Sequence, residues 1–255
     1  MLDPTKRFSS RVENYLKYRP GYPQAIVSLL AAECGLTKSS VIADLGSGTG
    51  LFSELFLKHG NQVFGVEPNA EMRSAGERLL TKYDNFTSIA ATAEETTLPA
   101  SSVDLAVAGQ AFHWFDRKKA RIEFERILKP MGWVVLVWNG FRTESNAVMA
   151  AYQEIVAKYG TDYSEVRREV ISMDVGSFYA PGICKCARFN FQQIFDYEGL
   201  QGRLLSASYA PEPGDPRYEP MLAELRKMFV ANEKQGRVMF DYETEVYYGQ
   251  LHAWI

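Results

Sequence analysis

The chain has 255 residues, 46% hydrophobic and 23% charged, with 28 Lys and Arg against 31 Asp and Glu and a net charge of −3. That balance is ordinary for a folded globular protein and argues against a non-specific nucleic-acid surface, while the length suffices for one large α/β domain with added segments. No apolar run approaches a membrane span of about 18 residues, and three cysteines, an odd number, make no disulfide framework. The expectation is a soluble cytoplasmic protein, monomer or homodimer, with no membrane or nucleic-acid partner.

Taken in order, residues 8–23 mix aromatics with cations, and Pro20 and Pro23 break any helix begun there. Phe8, Tyr15, Tyr18 and Tyr22 either pack on the core or close a pocket. Gln24–Cys34 reads as an apolar helix with Gly35 as its C-terminal cap. Val41–Leu45 is an apolar run, the mark of a strand buried on both faces. Gly46, Gly48 and Gly50 then make a tight turn, and Leu51–His59 a helix, ended by Gly60. Strands follow at Gln62–Val66, Phe86–Ala90, Val103–Ala108 and Trp133–Trp138. Between them run helices at Ala70–Lys82, capped by Asn69, and from Asp116 to about Leu128. Such alternation predicts a parallel sheet covered on both sides. Beyond Asn139 the pattern loosens. Helices are expected at 144–159, 200–206 and 218–232, strands at 187–197 and 237–248, and no clear period covers 161–182.

The strand, glycine turn and helix at 41–59 describe the opening unit of a Rossmann-like nucleotide fold. A dinucleotide site would place a third glycine where Leu51 stands. The alternative, Asp-x-Gly-x-Gly-x-Gly, is satisfied in full by Asp44, Gly46, Gly48 and Gly50 with Ser47 between. Here the chain resembles the class I S-adenosylmethionine-dependent methyltransferases, whose first motif has this form. Glu67 ends the second strand, where a carboxylate accepts both ribose hydroxyls; its alternative role is to stabilise the following helix N-terminus, next to Pro68. Thr92-Ala93-Glu94 resembles the family's adenine loop, with Thr92 where an acid is usual. Gln110-Ala-Phe-His-Trp-Phe and Tyr15-x-x-x-Arg19-Pro-x-Tyr22-Pro resemble the group that includes trans-aconitate methyltransferase, and Leu128-Lys-Pro-Met-Gly-Trp resembles the family's Leu-Lys-Pro-Gly-Gly turn.

The resemblance covers about residues 8–140 and implies a single domain over 1–255. Its cofactor core would be 36–140, a lid would come from 1–30 and 141–232, and 233–255 would supply the last, antiparallel strand of seven. S-adenosylmethionine would be the methyl donor and a small molecule the acceptor. A carboxylate acceptor is already ionised and needs no base; a phenol or quinone-like acceptor would need one, and His113 is the candidate. His113 could equally be a pocket-wall residue. Arg19 would hold the carboxylate of the cofactor or of the acceptor, and Tyr22, Trp114, Arg203 and Tyr209 are acceptor-side candidates. A third reading is a protein that binds the cofactor without catalysis. Cys184-Lys-Cys186 lacks a second cysteine pair, so no metal site is expected.

Overall fold

The computed structural model describes residues 11–163 and 174–252; Phe8 lies outside them. The apolar run Val41–Leu45 forms β1, flanked by β2 (Gln62–Val66) and β4 (Val103–Gly109), with β3 (Phe86–Ile89) beyond β2 and β5 (Leu128–Phe141) beyond β4. These five strands are parallel. β7 (Val238–Gly249) lies antiparallel between β5 and β6 (Cys184–Phe195), completing the seven-stranded order β3-β2-β1-β4-β5-β7-β6. The sheet order turns back between β1 and β4. Ligands of open α/β sheets bind beyond the carboxyl ends of the strands at such a reversal.

Two helical layers cover this sheet. Ile26 and Leu30 of α2 (Ala25–Cys34), Phe56 of α3 (Ser53–His59) and Leu80 of α4 (Ala70–Leu80) pack with Ile42, Val63 and Val107 on one face. Phe124 of α5 (Arg117–Ile127) and Phe178 of α7 (Val175–Tyr179) pack with Ala43, Ala106 and Leu136 on the other. The end caps behave as their sequences predict: Gly35 and Gly60 are left-handed, the Asn69 side chain accepts from the Met72 amide, and Asp116 accepts from Lys118 and Lys119.

The last third differs from expectation in extent. β5 runs well past Trp133–Trp138 because β7 pairs with it from Val134–Gly249 to Phe141–Tyr242. β6 falls within the span assigned to the lid, yet it joins the sheet, pairing with β7 along its whole length. β6 and β7 overrun the end of β5, and this overhang carries a third core. Tyr152 of α6 (Ala147–Tyr159), Leu200 of α8 (Tyr197–Leu205) and Leu225 of α9 (Tyr218–Asn232) close there over Phe240 and Tyr242. α1 (Val12–Tyr18) joins the two parts. Val12 packs on Met72 and Ala75 of α4, while Arg11 donates to the carbonyls of Ala207 and Ala210.

Candidate active site

The turn after β1 is held by backbone bonds. The amides of Gly46 and Ser47 both donate to the Val66 carbonyl, at 2.9 and 3.1 Å, and Gly50 closes back onto Ser47. Gly46 is left-handed (φ +70°), and a Cβ there would lie 2.7 Å from that of Ala111, so only glycine lets the turn and the post-β4 segment approach. Gly50 serves a different purpose from the one its motif suggests. Its missing Cβ makes room for Leu80 of α4, so it fits helix to strand and faces away from the cavity.

A cavity of about 130 Å³ opens over this turn at the sheet reversal. Gly46, Gly48, Glu67 and Pro68 form one wall, Thr92, Ala93 and Glu94 a second, and Gln110, Trp114 and Tyr15 a third. Expected residues from five separate segments thus line one space. Glu67 is 8% exposed, and its two oxygens accept the amides of Gly48 and Asn69 at 2.8 Å each. Those bonds aim the carboxylate, while burial raises its pKa above the usual range. The Glu94 carboxylate accepts the Asp116 amide, tying the Thr92–Glu95 turn to the start of α5. Gln110 is a non-glycine residue in the left-handed region (φ 58°). Its amide donates to Val137 and its side chain to the Asn139 carbonyl, and this pair of bonds holds the strained backbone in place.

Asp44 does not reach the cavity wall. It is fully buried under the glycine turn, with one oxygen accepting Ser53 Oγ at 2.6 Å and the other without a hydrogen-bond partner among the described residues. Burial pushes its pKa up to about 7, opposed by Ser53 and reinforced by the charge of Glu67. Ser47 also stays outside the lining, its hydroxyl turned toward Gly65. His113 sits in a single 3-10 turn, Phe112–Trp114, with its ring 4.5 Å from that of Trp114, and Trp114 rather than His113 lines the cavity.

The acceptor-side candidates gather behind Tyr15. The Arg19 guanidinium lies 4.9 Å from the Tyr15 ring centroid and donates to the Ser206 carbonyl. Tyr22 packs against Phe52 with the rings tilted, and its hydroxyl fills the space that a Cβ at Gly109 would need. Arg203 is buried and donates to the Tyr242 hydroxyl at 3.1 Å; burial and Arg203 act on Tyr209 in opposite senses, the net pKa being raised. Sequence reasoning missed Met72, Gly109 and Ala111 in the cavity wall, and Tyr152 and Tyr242 around Arg203. Gly109 had one signal, a glycine at the carboxyl end of a sheet strand; the others read as ordinary apolar positions.

The methyltransferase domain family matches residues 43–136, the stretch from β1 through β5 that carries the glycine turn, Glu67, the Thr92–Glu94 turn and Gln110. The chain carries a methyltransferase domain over that stretch. It is 28% identical to an uncharacterized methyltransferase-like protein of Schizosaccharomyces pombe over 94% of this chain and 93% of that one. An uncharacterized methyltransferase of Mycobacterium bovis is 35% identical over 62% of each chain. Among solved structures, a protein of Anaeromyxobacter dehalogenans assigned as a type II methyltransferase superposes with a TM-score of 0.70. It covers 93% of this methyltransferase and all of that chain at 20% identity, a likeness of fold. The sheet with its β6–β7 edge therefore belongs to the fold shared with that structure. No helix among the described residues is long and apolar enough to cross a membrane.

Proposed function

We propose that this methyltransferase uses S-adenosylmethionine to methylate a small-molecule acceptor, and that the acceptor group is a carboxylate. The observation that carries the donor is Glu67, buried at the cavity with both oxygens fixed by backbone amides, where it suits a vicinal diol. The rest of the wall fits the same ligand. Thr92, Ala93 and Glu94 offer an amide and polar side chains for an adenine edge, and Gly46 and Gly48 leave room for close approach of the chain. Asp44, beneath the turn, supplies negative potential for an ammonium, and Arg19, beside Tyr15, supplies a cation for the donor's carboxylate.

Bound S-adenosylmethionine supplies an activated methyl group on a sulfonium, so the chain's task is to align the acceptor and exclude water. A carboxylate acceptor loses no proton. One acceptor oxygen forms a bond to the methyl carbon as the carbon–sulfur pair returns to sulfur, giving a neutral ester and a neutral thioether. The reading with His113 as base for a phenolic or quinone-like acceptor has less support, since His113 lies off the cavity wall. Calorimetry tests the donor. S-adenosylmethionine and S-adenosylhomocysteine should bind, NAD should not, and binding of NAD alone would overturn the proposal. Formation of S-adenosylhomocysteine with an acceptor separates catalysis from mere cofactor binding. Among metal-ligating side chains of the described residues, no group of three is close enough to hold an ion.

A further inference from the structure

Two arginines, Arg203 buried and Arg19 half-buried with its Nε enclosed, lie behind the cavity with no acid paired to either among the described residues. Arg203 of α8 is 4% exposed. Its guanidinium lies 5.0 Å from the ring centre of Phe141 and 5.9 Å from that of Tyr242, whose hydroxyl accepts from Nε. Nη1 is buried without a hydrogen-bond partner. Arg19 leaves its own Nε in the same condition, and the Tyr152 hydroxyl is a third buried polar group without one. Neither arginine forms an ion pair among the described residues. The groups acting on them are chiefly tyrosines, and Arg203 disfavours the charge on Arg19.

A buried cation without a counter-charge is strongly destabilising, by several kcal/mol even after relaxation. Arg203, with Arg19 nearby and the unsatisfied Tyr152 hydroxyl beside it, is a cluster of donors that lacks an anionic acceptor. The Arg203 fork is also fixed in advance, packed against two neighbouring rings and pinned at Nε, so little side-chain entropy remains to be lost on binding an anion. Side-chain contacts link the cluster to the cavity: Tyr15 lines the cavity and packs against Arg19, and Tyr22 abuts Gly109 of the cavity wall.

We propose that Arg203, with the hydroxyls of Tyr152 and Tyr209, is the subsite that binds the carboxylate of the methyl acceptor, leaving Arg19 to the carboxylate of the methyl donor. This rests on the methyltransferase reading above and assigns its acceptor site. The rings of Phe141, Tyr152 and Tyr242 around the cation suit an acid with an apolar or aromatic body.

The test uses the full chain without methyl donor. Benzoate, phenylacetate and succinate are titrated at millimolar concentrations at constant ionic strength, with benzamide, phenylacetamide and succinamide as neutral isosteres. Binding is read as a rise in melting temperature and by calorimetry. At least one acid should stabilise the wild type while its amide does not. Arg203→Met should abolish that shift, and Tyr152→Phe, which removes one hydroxyl from an otherwise intact core, should weaken it roughly 3- to 10-fold. S-adenosylhomocysteine should bind all three proteins alike. Acids that leave the wild type unmoved, or that stabilise Arg203→Met equally, overturn the assignment. If Arg203→Met does not fold, an unchanged acid response in Tyr152→Phe and Arg203→Lys overturns it. Failure of S-adenosylhomocysteine to bind the wild type would instead strike the methyltransferase reading. For any acid that is turned over, the product should release methanol in mild alkali, as a methyl ester does and a phenol ether does not.

Discussion

Asp44→Asn separates the charge of the first-motif acid from its shape. In the folded protein burial lifts the Asp44 pKa from an ordinary value of 3.8 to about 7, so the native state keeps a proton that the unfolded chain loses near pH 4. A raised carboxyl pKa contributes stability that is complete below the unfolded value and is lost as pH rises through the folded one. The gap between 3.8 and about 7 corresponds to about 4 kcal/mol in total, of which about 3 kcal/mol falls between pH 5 and 8. Asparagine keeps an oxygen for Ser53 and removes the ionisation. The melting temperature of wild type relative to Asp44→Asn should therefore fall by about 5–10 °C from pH 5 to pH 8, other titrations cancelling in the difference. Ligand binding should reverse part of this effect. An ammonium above the turn favours the ionised carboxylate, so S-adenosylhomocysteine should bind the wild type more tightly toward pH 8, with proton release visible in calorimetry across buffers of different ionisation enthalpy. Asp44→Asn should show neither trend. Parallel melting curves for the two proteins across this range would refute the account of Asp44 as a desolvated acid.

Three further substitutions probe separate parts of the site. Glu67→Gln removes the charge that two backbone amides orient, and should raise the dissociation constant for S-adenosylhomocysteine about 10- to 100-fold by calorimetry, with far-ultraviolet circular dichroism unchanged. His113→Ala should leave turnover of a carboxylate acceptor within a few-fold of wild type, since the residue lies off the cavity wall; a loss of about 100-fold or more would favour the base-dependent reading. Gly202→Ala places a methyl group against the Tyr18 ring and so pushes α1 off α8. Because Tyr15 and Arg19 flank that contact, binding of S-adenosylhomocysteine should weaken by about 10-fold, and proteolysis should nick the chain before Tyr22 more readily than in wild type.

How far the molecule could be read from its sequence depended on how local each signal was. β1, β2 and their helices rest on short apolar runs, caps and glycines whose causes lie within a dozen residues, and Gly35, Gly60, Asn69 and Asp116 act as those signals say. Gly50 shows the limit of a motif. The spacing is satisfied, but the third glycine relieves a clash with Leu80, 30 residues on, which no local pattern records. Asp44 and His113 make the same point, because residue type named them and burial decided which surface they face. β6 is legible as a strand over 187–197, but its limits and its place in the sheet are not. It is an edge strand with half-exposed alternation, and its limits are set by pairing with β7, more than forty residues later. The Arg203 cluster was least legible. Phe141, Tyr152, Arg203 and Tyr242 come from a strand, two helices and another strand, and Tyr152 and Tyr242 look like core residues until the cation between them is seen.

The charges of the candidate site are sorted by position, and that order constrains how it works. The acids Asp44 and Glu67 lie under and beside the glycine turn, on elements of the cofactor core. The cations come from elsewhere, Arg19 from the segment after α1 and Arg203 from α8. On the proposed reading, a donor carrying an ammonium, a diol and a carboxylate would be held in one direction only, with its carboxylate end toward α8. Arg19 and Arg203 repel one another in the unliganded chain, and each bound carboxylate removes part of that repulsion. That same neutralisation lowers the positive potential at the other subsite, so filling one subsite should weaken anion binding at the other. Methyl transfer to the acceptor ends this arrangement. A carboxylate becomes an ester, its charge-assisted bonds to Arg203 become ordinary ones, and the guanidinium again lacks a counter-charge. The wild type should consequently hold an acceptor acid more tightly than its methyl ester, whereas Arg203→Met should hold the two about equally. Equal inhibition of the wild type by acid and ester would show that Arg203 does not read the acceptor's charge.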